Sequence, residues 1–319
     1  MGAIIRRSEA QERGVTAAEI RRLIRTGAWK RLAPGLYIPS TTYEAADDRG
    51  RHRFRAAAAF ARAAPDAVLS HVSAAVVHGL EAWRMSLDDV HLTRRRSGGS
   101  AKTSGRVLHA SRFDDDEVVE KDGMRVLAVA RTLVDLGATV PFEQAVVVGD
   151  HALRNGLVTL EDLETPVERM GRHPGRAKAA RAVRFMSDRS DSVGESRSRV
   201  LMVREQLPLP QTQVDVFDEF GNWLARVDFL WQEHGVIGEF DGRIKYRRDG
   251  VATTDAEDVV FREKLREDRL RHAGWVVVRW TWADLERPGV VAERIRRGFA
   301  LAARGTVPTG SCRMRKIPR

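Results

Sequence analysis

Residues 226–242 decide the fold of the C-terminal part of the chain, and they read Arg226-Val-Asp-Phe-Leu-Trp-Gln-Glu-His-Gly-Val-Ile-Gly-Glu-Phe-Asp-Gly242. The stretch predicts two apolar strands joined by a turn at residues 232–235. Asp228, Glu239 and Asp241 lie within these strands, where burying an unpaired carboxylate is costly. Residues two apart share one face of a strand, so Glu239 and Asp241 point the same way. Pairing of the two strands is expected to bring Asp228 beside Glu239.

Carboxylates set into apolar strands indicate a divalent cation, because Mg²⁺ or Mn²⁺ takes hard oxygen ligands and cancels their mutual repulsion. Glu195, at the start of the preceding predicted helix, is a further candidate ligand. Ser192-Val-Gly-Glu195 also fits a capping box, and both roles stay open. For Asp228 the alternative is an edge-strand charge paired with Arg226 or Arg279. The candidate metal ligands are Glu195, Asp228 and Glu239.

Composition favours folded domains and a polyanionic partner. The 319 residues predict two or three domains, and 43% hydrophobic residues argue against disorder. Lys and Arg number 54 against 44 Asp and Glu, a net charge of +10 that favours DNA, although an Arg-rich proteome is an alternative explanation. We expect a cytoplasmic protein with no membrane partner, since neither an apolar leader nor a membrane span is present.

Several chemistries are excluded by missing motifs. Cys312 is the only cysteine, which argues against disulfides, cysteine-rich zinc sites and cysteine catalysis. The sequence contains no Walker loop, dinucleotide-type glycine fingerprint or His-Glu-x-x-His. Nucleotide hydrolysis, hydride transfer and zinc proteolysis are therefore not expected.

Residues 1–45 predict a winged-helix-like DNA-binding module. Residues 16–19 fit a capping box, and the helix that follows sets Ile20, Leu23 and Ile24 on one face. Residues 29–38 predict a hairpin, and a basic helix followed by a basic hairpin is how winged helices meet DNA. The alternative is that the charged side of this helix is simply solvated. A full winged-helix module also has another helix in front, and only about fifteen residues are available for it here. The candidate DNA contacts are Arg21, Arg22, Arg25, Lys30 and Arg31.

The predicted fold class is multidomain, α/β and α+β, with a mixed middle domain at residues 46–187. Its strands near residues 89–93 and 105–110 are joined by a basic loop that we predict to be an exposed hairpin tip. His71 and His78 lie two turns apart on one face of a predicted helix. With no third ligand in view, we interpret them as structural.

The third domain, residues 188–304, is followed by a tail at residues 305–319 that is predicted to be basic and disordered. The predicted order of elements in this domain is helix 193–207, strands 213–217, 224–231 and 236–241, helix 257–272 and strand 275–281.

This order, with an acid on the first helix, an Asp on the second strand and an acidic pair on the third, resembles the PD-(D/E)XK nuclease core. More narrowly, about 110 residues resemble the uncharacterised domain family related to very-short-patch-repair (Vsr) endonucleases. The motifs that carry this resemblance are residues 194–199, 226–229, 238–242, 263–268 and 274–280.

The resemblance implies a Mg²⁺-dependent phosphodiesterase with Asp228, Glu239 and Asp241 in the catalytic site. Asp241 stands where the family motif usually has Lys. A migrated basic residue would then be needed, and Lys264 is the candidate, with Lys245 second. The alternative for Lys264 is a solvated helix face paired with Asp268.

The front of the chain is similar to AbiEi-type antitoxins of type IV toxin–antitoxin systems, a resemblance carried by residues 14–16, 32–37, 69–80 and 130–135. It implies a DNA-binding regulator with a possible toxin partner. The leading hypothesis is a metal-dependent endonuclease that the winged helix delivers to DNA. The alternatives are a catalytically inactive antitoxin-type transcriptional regulator and an interaction module that engages a toxin through the middle domain.

Overall fold

The computed structural model describes residues 3–95, 99–242 and 264–314. The chain divides into two compact units, residues 1–186 and residues 187–319. This division falls one residue from the predicted 187/188 boundary. The predicted class is confirmed at the level of a mixed α/β chain with several sheets.

Residues 5–39 fold as a helix-turn-helix followed by a hairpin. The Thr16 hydroxyl accepts a hydrogen bond from the Glu19 amide at 3.2 Å and so caps the second helix. Ile20 and Tyr37 are buried beside the first helix in a small apolar core. The helix expected in front of α2, for which the sequence offers only about fifteen residues, is present as α1. Strands β1 and β2 flank β3 in one antiparallel sheet. The elements are β1 (Ile5–Arg6), α1 (Arg7–Glu12), α2 (Ala17–Arg25), β2 (Trp29–Ala33) and β3 (Leu36–Pro39).

The rest of the first unit places helices beside a six-stranded mixed sheet of order β6-β7-β5-β4-β9-β8. Its strands are β4 (Val68–Leu69), β5 (Val90–Arg94), β6 (Ala101–Thr103), β7 (Arg106–Ala110), β8 (Val118–Lys121) and β9 (Met124–Leu127). Its helices are α3 (Ser40–Ala45), α4 (Asp48–Phe60), α5 (His71–His78), α6 (Val129–Thr139), α7 (Phe142–Arg154), α8 (Glu164–Arg169) and α9 (Arg176–Phe185).

The predicted hairpin at residues 89–110 is wrong in its pairing. Strands β5 and β7 run parallel, and the short strand β6 forms the antiparallel hairpin with β7, turning at Gly105 with φ of 74°. Strand β6 is fully exposed and has no apolar alternation, so only its pairing with β7 makes it a strand.

A buried ion cluster joins α6 to the segment before β8. The Arg131 guanidinium donates to Asp135 at 2.9 Å and to Glu117 at 3.1 Å, and all three residues are buried. The i, i+4 spacing of Arg131 and Asp135 predicts an ion pair that stabilises only the helix itself. The third partner, Glu117, is distant in sequence and makes this a tertiary contact.

The second unit contains a five-stranded sheet of order β13-β12-β11-β10-β14, in which only β12 and β13 are parallel. The helix, three strands, helix and strand follow one another in the predicted order. The elements are α10 (Val193–Arg204), β10 (Gln211–Phe217), β11 (Trp223–Trp231), β12 (Val236–Asp241), α11 (264–272), β13 (Val276–Thr281), α12 (Trp282–Leu285), α13 (Val290–Ala302) and β14 (Ser311–Met314).

The prediction of a disordered tail from residue 305 is wrong for residues 311–314. These residues form β14, which pairs with β10 and places Cys312 opposite Val216. The segment is too short and polar to predict a strand by itself, so its order depends on the partner strand. None of the helices in the described part of the chain has the length and apolar character needed to cross a bilayer.

Both faces of this sheet are covered by apolar side chains. Phe229 and Trp280 pack with α10 and α13 in one cluster, and Val227 and Ile237 pack with Leu270 of α11 in the other. Strand β12 is therefore central and apolar, and its acids lie at its C-terminal end.

Candidate functional site

The N-terminal module presents a basic surface. Arg21, Arg22 and Arg25 on α2 and Lys30 and Arg31 on β2 are exposed, as the sequence predicts. Residues 3–39 hold eight Lys and Arg against three Glu, so they carry about half of the net charge of +10. The predicted DNA contacts thus occupy two adjacent elements of one small module.

Two of these cations have local partners. An Arg22 guanidinium nitrogen lies 3.4 Å from a Glu19 carboxylate oxygen, and 62% of the Arg22 side chain is exposed. Lys30 Nζ lies 4.4 Å from the centroid of the Tyr43 ring. Such exposed contacts are weak and leave both cations available to phosphate.

In the second unit, Asp228, Glu239 and Asp241 line one cavity of about 210 Å³. Arg266 and Arg279 line it as well. The structure therefore brings together the three acids that the sequence singles out and adds two guanidinium groups.

The strand ladder explains why Asp228 meets Glu239. Strands β11 and β12 pair in register as far as Phe229 opposite Gly238. One step further, the Asp228 carboxylate accepts a hydrogen bond from the Phe240 amide at 2.9 Å. Strand β11 lies inside the sheet, so Asp228 is no edge-strand charge.

Both predicted arginine partners of Asp228 bond to other acids. Arg226 lies 3.7 Å from Asp215, and Arg279 lies 3.0 Å from Glu267. Arg279 is also the register neighbour of Glu239 on β13. The edge-charge alternative for Asp228 is therefore not what the structure shows.

Ser192 caps α10 through the Glu195 amide, and the Glu195 carboxylate also joins the acidic cluster. The Ser192 hydroxyl accepts from the Glu195 amide at 3.2 Å, and the Asp191 amide donates to the Glu195 carboxylate at 2.9 Å. The Gln213 side-chain amide donates to Glu195 at 2.9 Å and to Asp228 at 3.3 Å. Capping is thus observed, and Gln213 links Glu195 to the cavity.

The buried acids favour their neutral forms. Burial, reinforced by the charge of Asp228, raises the pKa of Glu239 to about 8 against the opposing effect of Arg266 and Arg279. Burial and the same Asp228 charge raise the pKa of Glu195 to about 7. Burial also raises the pKa of Asp228. Additional positive charge in the cavity would stabilise the ionised carboxylates.

The donor chemistry suits Mg²⁺ or Mn²⁺ in part. Glu239 Oε1 is buried and has no hydrogen-bond partner among the described residues, whereas Glu239 Oε2 accepts from Arg266 at 3.0 Å. Asp228 and Glu239 offer the hard oxygen atoms that such cations prefer. The acids are nevertheless too far apart for oxygen atoms of three of them to lie within 4.8 Å of one another. Among the described residues, the only three ligating side chains that lie so close together are histidines of the first unit.

The basic residue that α11 brings to this cavity is Arg266, where the sequence predicts Lys264. Lys264 is exposed and does not line the cavity. Residues two apart on a helix point about 200° apart, so only one of the two can face the sheet. Leu270, buried and four residues after Arg266, marks the inward face and could have identified Arg266. The second candidate, Lys245, lies outside the described residues.

The sequence suggested Arg279 only as a partner of Asp228, and Gln213 was overlooked. Arg279 is a lone cation in an apolar strand, the same signal that identifies the acids. Gln213 is buried with φ of 52°, a left-handed conformation uncommon for any residue but Gly, and no sequence pattern predicts it.

Gly194 allows α10 to approach this site closely. A Cβ atom at Gly194 would lie 1.9 Å from a Phe240 ring carbon. Gly194→Ala is therefore expected to lower the free energy of unfolding by about 2 kcal/mol, because the ring must move. Urea denaturation measures this, with Gly305→Ala as the control, since its Cβ meets only ordinary contacts, the nearest at 3.6 Å. Equal stabilities of the two variants would show that Phe240 relaxes freely.

The N-terminal module is similar to one known family. Residues 2–39 match the family described as "Transcriptional regulator, AbiEi antitoxin". The resemblance of the front of the chain to these antitoxins is confirmed over this range.

Two curated relatives are uncharacterized proteins of Mycobacterium tuberculosis, from strains CDC 1551 / Oshkosh and ATCC 25618 / H37Rv. Each is 29% identical over 176 residues, which is 55% of this chain. The match spans 62% of each relative's own length, less than two thirds. Neither relative's name assigns a function.

Proposed function

We propose that this chain is a DNA-binding regulator of the AbiEi antitoxin type that contacts DNA through residues 3–39. One observation carries the proposal. The residues that match the antitoxin family are the same residues that fold as a helix-turn-helix and hairpin with exposed cations.

Helix α2 would enter the major groove, and β2 would lie against the flanking phosphates. Arg21, Arg22 and Arg25 supply guanidinium groups that bind phosphate or guanine edges in bidentate fashion. Ile20, on the opposite side of the helix, is buried in the module and anchors α2. Binding would release counterions and weaken as salt rises.

DNase footprinting of the full-length protein on the DNA upstream of its own coding sequence tests this proposal. We expect a discrete protected site at protein concentrations that leave a scrambled duplex uncovered. Uniform protection of both DNAs would contradict the proposal of a sequence-specific regulator, because it would show binding by charge alone.

A toxin protein is the second proposed partner, and it follows from the antitoxin resemblance alone. Purification of the protein from its host at native abundance is expected to recover a stoichiometric companion. Recovery of the chain alone, under conditions that keep known complexes intact, would argue against this partner.

A second candidate function, a metal-dependent DNA phosphodiesterase with a PD-(D/E)XK-like core, is favoured by the carboxylate cavity. Asp228 and Glu239, whose Oε1 has no hydrogen-bond partner among the described residues, would hold Mg²⁺ or Mn²⁺, and such an ion would polarise phosphate and lower the pKa of water. Arg266 and Arg279 would contact the phosphate oxygens. Asp241 in place of the motif Lys is the feature that argues against catalysis.

Mg²⁺- and Mn²⁺-dependent nicking of supercoiled DNA tests this candidate. Asp228→Ala is expected to reduce nicking about 100-fold or more, since a metal ligand and its hydrogen bond to Phe240 are removed. Glu219→Ala, at an exposed turn, is the control. Nicking retained in Asp228→Ala would assign the activity to a contaminant. No nicking by the wild type would favour the regulator alone.

A further inference from the structure

Three histidines from separate segments of the first unit converge in space. His71, His91 and His109 each offer a ring nitrogen, and these atoms all lie within 4.8 Å of one another. His91 Nδ1 is 3.0 Å from His109 Nε2. The His71 and His109 rings stack with centroids 3.7 Å apart at an angle of 15°, so one ring must turn before both can direct a nitrogen at the same ion.

The fold places each histidine by a different route. His91 on β5 and His109 on β7 share one face of the parallel pair, because Thr93 is the register partner of His109 and lies two residues from His91. His71 is the first residue of α5 and is separated by Ser70 from β4, which pairs with β5. His71 holds φ at 49°, a left-handed conformation that is uncommon for residues other than Gly.

A neighbouring hydroxyl orients one of these rings. The Ser70 hydroxyl lies 3.0 Å from His71 Nδ1, so Nε2 of His71 is the nitrogen left for another ligand. Metal-binding histidines usually engage the second nitrogen in such a contact, which fixes the tautomer and the ring orientation.

The cluster borders open space. His71 and His109 also line a cavity of about 510 Å³. The charged residues that line the same cavity are Arg112, Arg131, Asp135, Arg169 and Arg172. Arg131 pairs with Glu117 and Asp135, and Arg169 pairs with Asp116, so the excess positive charge of the walls comes from Arg112 and Arg172.

We propose that His71, His91 and His109 form a binding site for a divalent transition-metal ion such as Zn²⁺. Three imidazoles suit Zn²⁺ and leave a fourth position open to water or to an anion from the adjoining cavity. The site shares no residue with the carboxylate cavity of the second unit or with the predicted DNA contacts. His78 contacts the Leu127 carbonyl oxygen at 2.8 Å and is not part of the site, so the proposal departs from the structural interpretation for His71 alone.

Titration of full-length protein with Co²⁺, after removal of metals and without a histidine tag, tests the proposal. We expect the wild type to bind one equivalent, to show the visible absorption of tetrahedral Co²⁺, and to release Co²⁺ to Zn²⁺. His91→Gln and His109→Gln are each expected to weaken binding about 100-fold or more, and Ser70→Ala about 10-fold. His272→Gln, an exposed histidine of the second unit, is the control and should bind like the wild type.

Thermal unfolding in EDTA separates loss of a ligand from loss of the fold, and Ser70→Ala provides a milder variant if a histidine variant does not fold. A folded wild type that binds neither Co²⁺ nor Zn²⁺ at micromolar concentration would overturn the proposal. So would equal affinity of the wild type and the folded histidine variants. Either result would reduce the cluster to a hydrogen-bonded histidine pair.

Discussion

Replacing Arg21, Arg22 and Arg25 together with Ala is expected to weaken DNA binding by about 100-fold or more at moderate salt. All three side chains are exposed on α2, whereas Ile20 of the same helix is buried in the module core. The substitutions therefore remove charge and hydrogen-bond donors without disturbing the core, and Ala favours the helix.

Fluorescence anisotropy with a labelled duplex over a range of salt concentrations measures this effect. The dependence of log affinity on log salt should become shallower by about one for each phosphate that the variant no longer neutralises. The matched control replaces Arg269, Arg297 and Arg304, three exposed arginines of the second unit, with Ala. Both variants lose the same net charge, so a long-range charge effect alone would weaken them equally.

Equal loss of affinity in the two triple variants would show that the loss of net charge, and not the loss of contacts made by α2, weakens binding. Unchanged affinity in the Arg21, Arg22 and Arg25 variant would contradict the proposed surface directly.

Glu239→Gln is expected to raise the free energy of unfolding by about 3 kcal/mol near pH 8.5 and by little near pH 4. Burial raises the pKa of Glu239 to about 8 in the folded protein, above its usual 4.5. Between these values the native state keeps a proton that the unfolded state has lost. Wild-type stability therefore falls as pH rises from about 4.5 to 8, and Gln removes this loss.

Urea denaturation of wild type and variant at both pH values measures the difference, with exposed Glu219→Gln as the control. The Gln side chain can still accept from Arg266, which preserves the hydrogen bond seen at 3.0 Å. If the second candidate function holds, Mg²⁺ near pH 8.5 should stabilise the wild type and leave Glu239→Gln unaffected. A variant no more stable than the wild type near pH 8.5 would show that Arg266 and Arg279 already offset the buried charge.

The second unit could be predicted largely from its sequence because its signals are local. Apolar alternation around Asp228 and Glu239 marks two strands, and the short turn between them sets their pairing. Ser192 and Glu195 mark the start of α10 through a capping contact that the structure contains. The acids were identifiable because charge in an apolar strand is unfavourable.

What the sequence left unpredicted depends on tertiary contacts. The left-handed conformation of Gln213 and the pairing of residues 311–314 with β10 have no local signal. His91 and His109 are unremarkable in their own strands, and only the parallel pairing of β5 with β7 brings them to one face. Leu270 marks the inward face of α11 and could have identified Arg266, which lies one turn earlier on that face. The prediction named Lys264 instead, because the family motif has a Lys.

The central claim is that residues 3–39 recognise specific DNA. Its most direct test is the affinity of the full-length protein for the duplex upstream of its own coding sequence relative to a scrambled duplex of equal length, at about physiological salt. The regulator predicts a ratio of about 1,000 or more in favour of its own sequence. Equal affinity for the two duplexes would contradict the claim, because exposed arginines that bind DNA by charge alone cannot distinguish them.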